Sequence, residues 1–169
     1  REDNPALGLR AVRLMRRHPE ILRTQLGAIL RASTSGPARV LVPMISGLDD
    51  WRWVRAEYRA AADRLRSAGI LTGDPPPLGA MIELPSAVLQ ARALAAEADF
   101  FSLGTSDLTQ YLLAVDRNNR NVVDLFDALH PVVLCAVRDV LAAAAAAGIR
   151  AAECGELAGN PLGAPLAVG

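Results

Sequence analysis

The stretch "DFFSLGTSDLTQYLLAV" (residues 99–115) sets an apolar run of strand length, DFFSLGTS, directly against a helical run that opens at Asp107 and continues to Val115. It reads as a strand that delivers its chain into a helix, with a carboxylate at the boundary.

Working outward, the same unit recurs on both sides. Upstream, "GAMIEL" is a strand whose end is set by Pro85, followed by a helix from Ser86 to Ala98. The linker "LTGDPPPLG" separates it from "ARVLVPMIS", a β-branched strand that leads into a long amphipathic helix from Asp49 to Ala68, anchored by Trp51, Val54, Tyr58 and Leu65. Residues 18–32 form a helix with Pro19 in its first turn and apolar positions Ile21, Leu22, Leu26, Ile29 and Leu30 at helical spacing. Downstream, the Ala-rich run Val140 to Ile149 is a helix ending at Gly148, and "IRAAECGE" is a fourth strand. Strands alternating with helices, without hairpin signals, predict parallel pairing through right-handed crossovers. The class is α/β.

Composition limits what such a chain can do. The 169 residues are half apolar, enough for one domain with a sizeable core. Eighteen basic residues, all Arg, balance eighteen acidic ones and are spread along the sequence, so no basic arm for nucleic acid is expected. The longest apolar run falls far short of a membrane span, and Cys135 and Cys154 form no disulfide framework; the expectation is a cytoplasmic protein. Cys135, inside "VVLCAVRDVL", is expected in the core.

Three strands carry a reactive residue at or just past their carboxyl ends: Glu83, Asp107 and Cys154. In parallel α/β sheets and barrels that is the end where ligands bind. Glu83 and Asp107 are oxygen donors on separate strands, a pattern that can hold Mg²⁺ while substrate and water complete the octahedron. Each also has an ordinary structural explanation: an Arg partner for Glu83, and capping of a helix start by Ser106 and Asp107. Cys154 reads either as a small buried residue or, flanked by Glu153 and Glu156, as a thiol that keeps its proton and donates. Arg10 and Arg117 lie in loop-like surroundings, where they could grip an anion or merely be solvated. His18 and His130 precede prolines, which suits turns or helix starts, and make a poor metal set. No Gly-rich nucleotide fingerprint is present.

Taken together, "REDNPALGLRAVR" (1–13), "PMIS" (43–46), "MIELPSA" (81–87), "FFSLGTSDLTQYLLAVDRNN" (100–119) and "CGELAGNP" (154–161) resemble the phosphoenolpyruvate-binding domain of enzyme I of the bacterial sugar phosphotransferase system, a relative of pyruvate phosphate dikinase. The resemblance spans essentially the whole chain. It implies a (β/α)₈ barrel that binds phosphoenolpyruvate with Mg²⁺ at its carboxyl face and passes the phosphoryl group to a histidine on a separate domain. Onward transfer to the phosphocarrier protein HPr, release of pyruvate and a homodimeric full-length protein are also implied. Carried over residue by residue, Glu83 and Asp107 would be Mg²⁺ ligands, Arg10 and Arg117 would hold phosphate and carboxylate, and Cys154 would protonate the enolate carbon.

Two departures from the family pattern stand out. Thr105-Ser106-Asp107 replaces the family's Thr-Asn-Asp, so a hydroxyl stands where an amide would contact the substrate phosphate. The chain also corresponds to about strands four to seven of the family barrel, with two further substrate-binding arginines and the phosphohistidine domain outside it. The isolated 169 residues are therefore expected not to turn over. Two other readings accompany this one: a Mg²⁺-dependent lyase acting on pyruvate-like enolates, and a non-catalytic dimerisation module.

Overall fold

A computed structural model of the protein describes residues 2–155 and Gly159. Strands β1 (Val40–Val42), β2 (Leu78–Ile82), β3 (Phe100–Leu103) and β4 (Arg150–Glu153) form one parallel sheet in the order β1-β2-β3-β4. Helices α1 (Ala11–Arg17), α2 (Pro19–Ala32), α3 (Leu48–Ser67), α4 (Pro85–Leu89), α5 (Ala91–Ala95), α6 (Thr105–Leu113) and α7 (Pro131–Ala147) precede and connect the strands. Each strand pairs with its sequence neighbour, the repeat from which a (β/α) barrel wall is built.

The register divides the sheet into two faces. Val40 aligns with Leu78, Ala80 with Phe101 and Ile82 with Leu103. These residues and Val42 are buried, in one cluster with Leu26, Leu30, Trp51, Val54, Leu94 and Val140 from the helices. The opposite face carries Leu41, Met81, Phe100, Arg150 and Ala152, which are half-buried or exposed. One apolar face against a helical layer accounts for the alternating burial of β1, whereas in β2 and β3 Gly79 and Ser102 on the opposite face are buried as well.

The helices end where local chemistry tells them to. Pro131 opens α7, the His130 side chain accepts a hydrogen bond from the Val132 N–H at 3.2 Å, and Gly148 closes the helix at φ +69°. Asp49 and Asp50 lie in the first turn of α3, and Arg64 and Arg66 in its last, both favourable to the helix dipole. Both histidines stand at helix starts, as their following prolines suggest. Among the described residues no helix is long and apolar enough to cross a membrane.

Several sequence expectations are corrected. The first strand is only three residues long, because Pro43 lacks an N–H for the ladder and Met44 turns to φ +58°. The single helix over residues 86–98 is two, broken at Gln90. The amide of Gln90 accepts from the Leu48 N–H and donates to the Ser46 and Ser86 carbonyls, which draws the chain toward the start of α3. Cys135 is exposed rather than in the core: α7 buries Val133, Ala136, Val137 and Val140, which leaves Cys135 with Arg138 and Asp139 on the outer side. Ile21 is exposed too, one step off the Leu22-Leu26-Leu30 stripe that α2 buries.

Candidate active site

Sheet register assembles the site. Ile82, Leu103 and Glu153 are aligned across β2, β3 and β4, so the residues that follow them, Glu83, Gly104 and Cys154, stand side by side just beyond the strands. The ladder continues through them, with the Gly104 N–H donating to Ile82 and the Cys154 N–H to Leu103. Alternation places all three on the face opposite the apolar helical layer. Glycine is required in the middle: a Cβ on Gly104 would lie 2.8 Å from Glu83 Cβ and 2.9 Å from its Oε2.

Glu83 is 3% exposed, and its Oε1 accepts the Met44 N–H at 2.6 Å. That N–H is aimed by the left-handed backbone of Met44, a strained conformation for a residue with a side chain. Burial pushes the Glu83 carboxyl up to about 7, and the negative charge of neighbouring Asp107 adds to the rise, against the Met44 N–H and the more distant Arg10. The carboxylate's bond is therefore to backbone, not to the Arg partner that its ordinary structural explanation required.

Asp107 sits inside the first turn of α6, not at its cap, which is Gly104 without any side-chain cap. Its carboxylate lies between two guanidinium groups that are far apart in sequence. Arg10 Nη2 is 3.5 Å from Oδ2, and Arg117 Nη2 is 3.2 Å from Oδ1. The Arg117 contact is a charge pairing off the hydrogen-bond line, so Oδ1 is buried without a hydrogen-bond partner. Helix capping is thus not what Asp107 does; it gathers the two arginines.

Sequence reasoning missed the rest of the α6 apparatus. Gln110 is buried, and its Oε1 accepts the Arg117 N–H at 3.1 Å. The Tyr111 hydroxyl donates to the Ala6 carbonyl at 2.5 Å, tying down the 3₁₀ turn Pro5–Leu7 that precedes Arg10. Asp107, Gln110 and Tyr111 are spaced i, i+3 and i+4, so they share one helix face. That spacing was visible in "SDLTQY" and could have identified them. A cavity of about 490 Å³ opens between Pro5, Ala6, Leu7, Tyr111, Val115 and Asn118 beside this apparatus.

Cys154 is exposed, not buried as a core cysteine would be, and its thiol donates toward the Leu103 carbonyl at 3.3 Å. Ser106 is half-buried at the second position of α6. Glu83, Asp107 and Arg10 are brought together, Arg117 reaches Asp107, and Cys154 follows the neighbouring strand. Among the described residues no group of three or more His, Cys, Asp and Glu is set to hold a metal. The donor set is a pair of buried carboxylates in which Asp107 Oδ1 is paired with Arg117 by charge but accepts no hydrogen bond, which suits a hard cation that takes its remaining ligands from substrate and water. Two guanidiniums beside such a pair can receive an anion with more than one oxygen.

The family model described as "PEP-utilising enzyme, PEP-binding domain" matches residues 1–169. The chain is 41% identical over its full length to a phosphoenolpyruvate-protein phosphotransferase of Borreliella burgdorferi, and 43% identical to that of Haemophilus influenzae, spanning 30% and 29% of those proteins. It is 40% identical over 99% of its length to a multiphosphoryl transfer protein of Escherichia coli O157:H7, of which it spans 20%. The chain thus corresponds to under a third of the length of these relatives. Among solved structures, a citrate lyase from Burkholderia xenovorans superposes with a TM-score of 0.60 at 26% identity, covering 78% of this chain and 40% of that one. A HpcH/HpaI aldolase/citrate lyase family protein from Burkholderia cenocepacia gives 0.54 at 21% identity over 75% of this chain and 54% of that one, a likeness of fold.

Proposed function

Because the chain belongs to the PEP-utilising enzyme family, through its PEP-binding domain, we propose that it is the phosphoenolpyruvate-binding part of a phosphoenolpyruvate-protein phosphotransferase. The observation that carries this reading is Asp107, buried against Glu83 and flanked by Arg10 and Arg117, with Cys154 beyond the adjoining strand.

In this reading the 169 residues are about strands four to seven of an eight-stranded barrel. Arg10 and Arg117 bind the phosphate and carboxylate of phosphoenolpyruvate, and their contacts with Asp107 hold them in place beforehand, so less freedom is lost on binding. Ser106 supplies one hydroxyl hydrogen bond to the phosphate. Glu83 and Asp107 hold Mg²⁺, which when bound would stabilise the charge that develops on the enolate oxygen as the phosphoryl group leaves. Cys154 gives its proton to the enolate carbon, so that pyruvate forms, and takes one back in the reverse direction. The phosphoryl group passes to a histidine on another domain and then to HPr, in a cytoplasmic homodimer that drives sugar uptake.

The test is phosphoryl transfer from labelled phosphoenolpyruvate in the full-length protein that carries this domain. Cys154→Ala should remove turnover while Mg²⁺-dependent binding of oxalate, a mimic of the enolate, stays within a few-fold of wild type. Undiminished turnover would overturn the assignment of Cys154 as proton donor. The likeness to a citrate lyase keeps a lyase-type reading alongside; a lyase needs no acid at Cys154, so Cys154→Ala with enolate cleavage intact would decide for it.

A further inference from the structure

Glu153 precedes the candidate proton donor, and neither Mg²⁺ binding nor the grip on substrate calls on it. It ends β4, aligned with Leu103, and is only half-buried as a residue. Its Oε1 accepts two hydrogen bonds, from the Thr105 hydroxyl at 2.5 Å and from the Gly155 N–H at 2.7 Å. The two donors come from different elements: Gly155 follows Cys154 in the chain, and Thr105 is the first residue of α6. The carboxylate thus closes the turn around Cys154 and fastens that turn to the helix that carries Ser106 and Asp107.

A second observation, independent of these bonds, points the same way. A Cβ on Gly155 would lie 2.0 Å from Thr105 Oγ1 and 3.0 Å from the Ser106 nitrogen. The turn after Cys154 is therefore pressed onto the first residues of α6 so closely that only glycine fits. Thr105 is 1% exposed, and its hydroxyl bonds to the Glu153 carboxylate and not to solvent. The Glu153 Oε2 is buried with no hydrogen-bond partner among the described residues, so the side chain is held at this position by Oε1 alone.

We propose that Glu153 is a positioning residue that locks the Cys154 turn to the start of α6, fixing the thiol relative to the phosphate-binding and carboxylate groups on that helix. It acts through geometry and not through its charge. The proposal rests on the phosphotransferase reading for its kinetic arm, but the lock itself is a statement about Cys154 and Thr105 that holds whatever the reaction.

The experiment uses the full-length protein in a Cys135→Ser background, so that iodoacetamide reports on Cys154 in this domain. In Glu153→Gln the amide oxygen can still accept from Thr105 and Gly155; in Glu153→Ala nothing can. Expected is a tenfold or larger fall in kcat for Glu153→Ala with KM for phosphoenolpyruvate within threefold, and recovery to within threefold of the parent kcat in Glu153→Gln. The alkylation rate of Cys154 should change several-fold in Glu153→Ala and stay near the parent value in Glu153→Gln. Thr105→Val, which removes the donor and keeps the shape, should reproduce the alkylation change and carries the test if Glu153→Ala does not fold. An unchanged kcat and alkylation rate in Glu153→Ala overturns the proposal, as does a loss in Glu153→Gln as deep as in Glu153→Ala. Where no phosphoryl transfer is measured in the parent protein, the phosphotransferase reading has failed, and the alkylation rates alone decide the lock.

Discussion

Two layers of this molecule use burial in opposite ways. Between sheet and helices, Val42, Ile82, Leu103, Trp51, Leu94 and Val140 are packed with no charge among them. At the carboxyl ends of the strands, Glu83, Asp107 and Thr105 are buried just as deeply, and two of the three are acids. The first layer is stable because apolar surface leaves water. The second is costly, since burial pushes the Glu83 carboxyl up and the negative charge of Asp107 beside it adds to the rise. The difference shows which layer the fold depends on and which layer it tolerates: contacts in the apolar layer should set stability, and those in the polar layer should set activity, with stability indifferent or improved by their loss.

The sharpest way to break this division is Trp51→Ala. Trp51 is 1% exposed within the apolar cluster, and removal of its side chain leaves a cavity there. A loss of about 3–5 kcal/mol is expected from denaturant unfolding. A loss under about 1 kcal/mol would mean that the layer is loosely packed and that the division is false.

Asp107→Asn tests the other side. It removes the buried charge beside Glu83 and keeps the shape, so the thermal midpoint should hold or rise, while under the proposed function phosphoryl transfer by the full-length protein should fall by about 10²–10³-fold. A large fall in midpoint would instead make Asp107 a structural member of the fold, with the Arg10 and Arg117 pairs as its purpose.

Much of the fold was legible because its punctuation is chemical. Pro85, Pro131 and Gly148 begin and end elements through constraints that act locally, and the stripe Leu22-Leu26-Leu30 declares a helix face. Tertiary contacts overrode the local signal at two places: residues 86–98 lack a breaker, yet Gln90 leaves the helix to bond the start of α3. Cys135 looked apolar by its neighbours, but which side of α7 meets the sheet is decided by packing. The site was legible as a set of residue types at strand ends, with Arg10 and Arg117 marked by their loop surroundings as candidate anion grips and given a particular role only through the family resemblance. What one residue type cannot announce is a partner far away in sequence. The left-handed Met44 that aims its N–H at Glu83, and the bond from Thr105 to Glu153, arise only when the strand ends meet.

The smallest expected effect lies where the two layers join. Arg16 Nη1 pairs with Asp50 Oδ1 at 2.6 Å, and the Ser46 hydroxyl and N–H both donate to the other oxygen of Asp50. The guanidinium also lies over the Trp53 ring, 5.6 Å from its centre. The pair fastens α1, whose first residue follows Arg10, to α3 in the apolar layer. Burial works to raise the Asp50 pKa, but the bonds from Ser46 and Arg16 together outweigh it and hold the carboxyl below its ordinary value. A depressed carboxyl stabilises the fold above its unfolded pKa, about 3.9, and loses that contribution as pH falls through the folded one. Asp50→Asn should therefore be less stable than the parent at pH 7, by about 1–2 kcal/mol. The gap should narrow as pH falls below about 4, first as the unfolded chain takes up its proton and fully once the folded carboxyl, held below that value, does so too. Urea midpoints of both proteins at pH 7 and pH 3 give the comparison. A gap that stays constant would mean that Arg16 and Ser46 recognise the shape of the side chain and not its charge, and the join between the layers would then be packing alone.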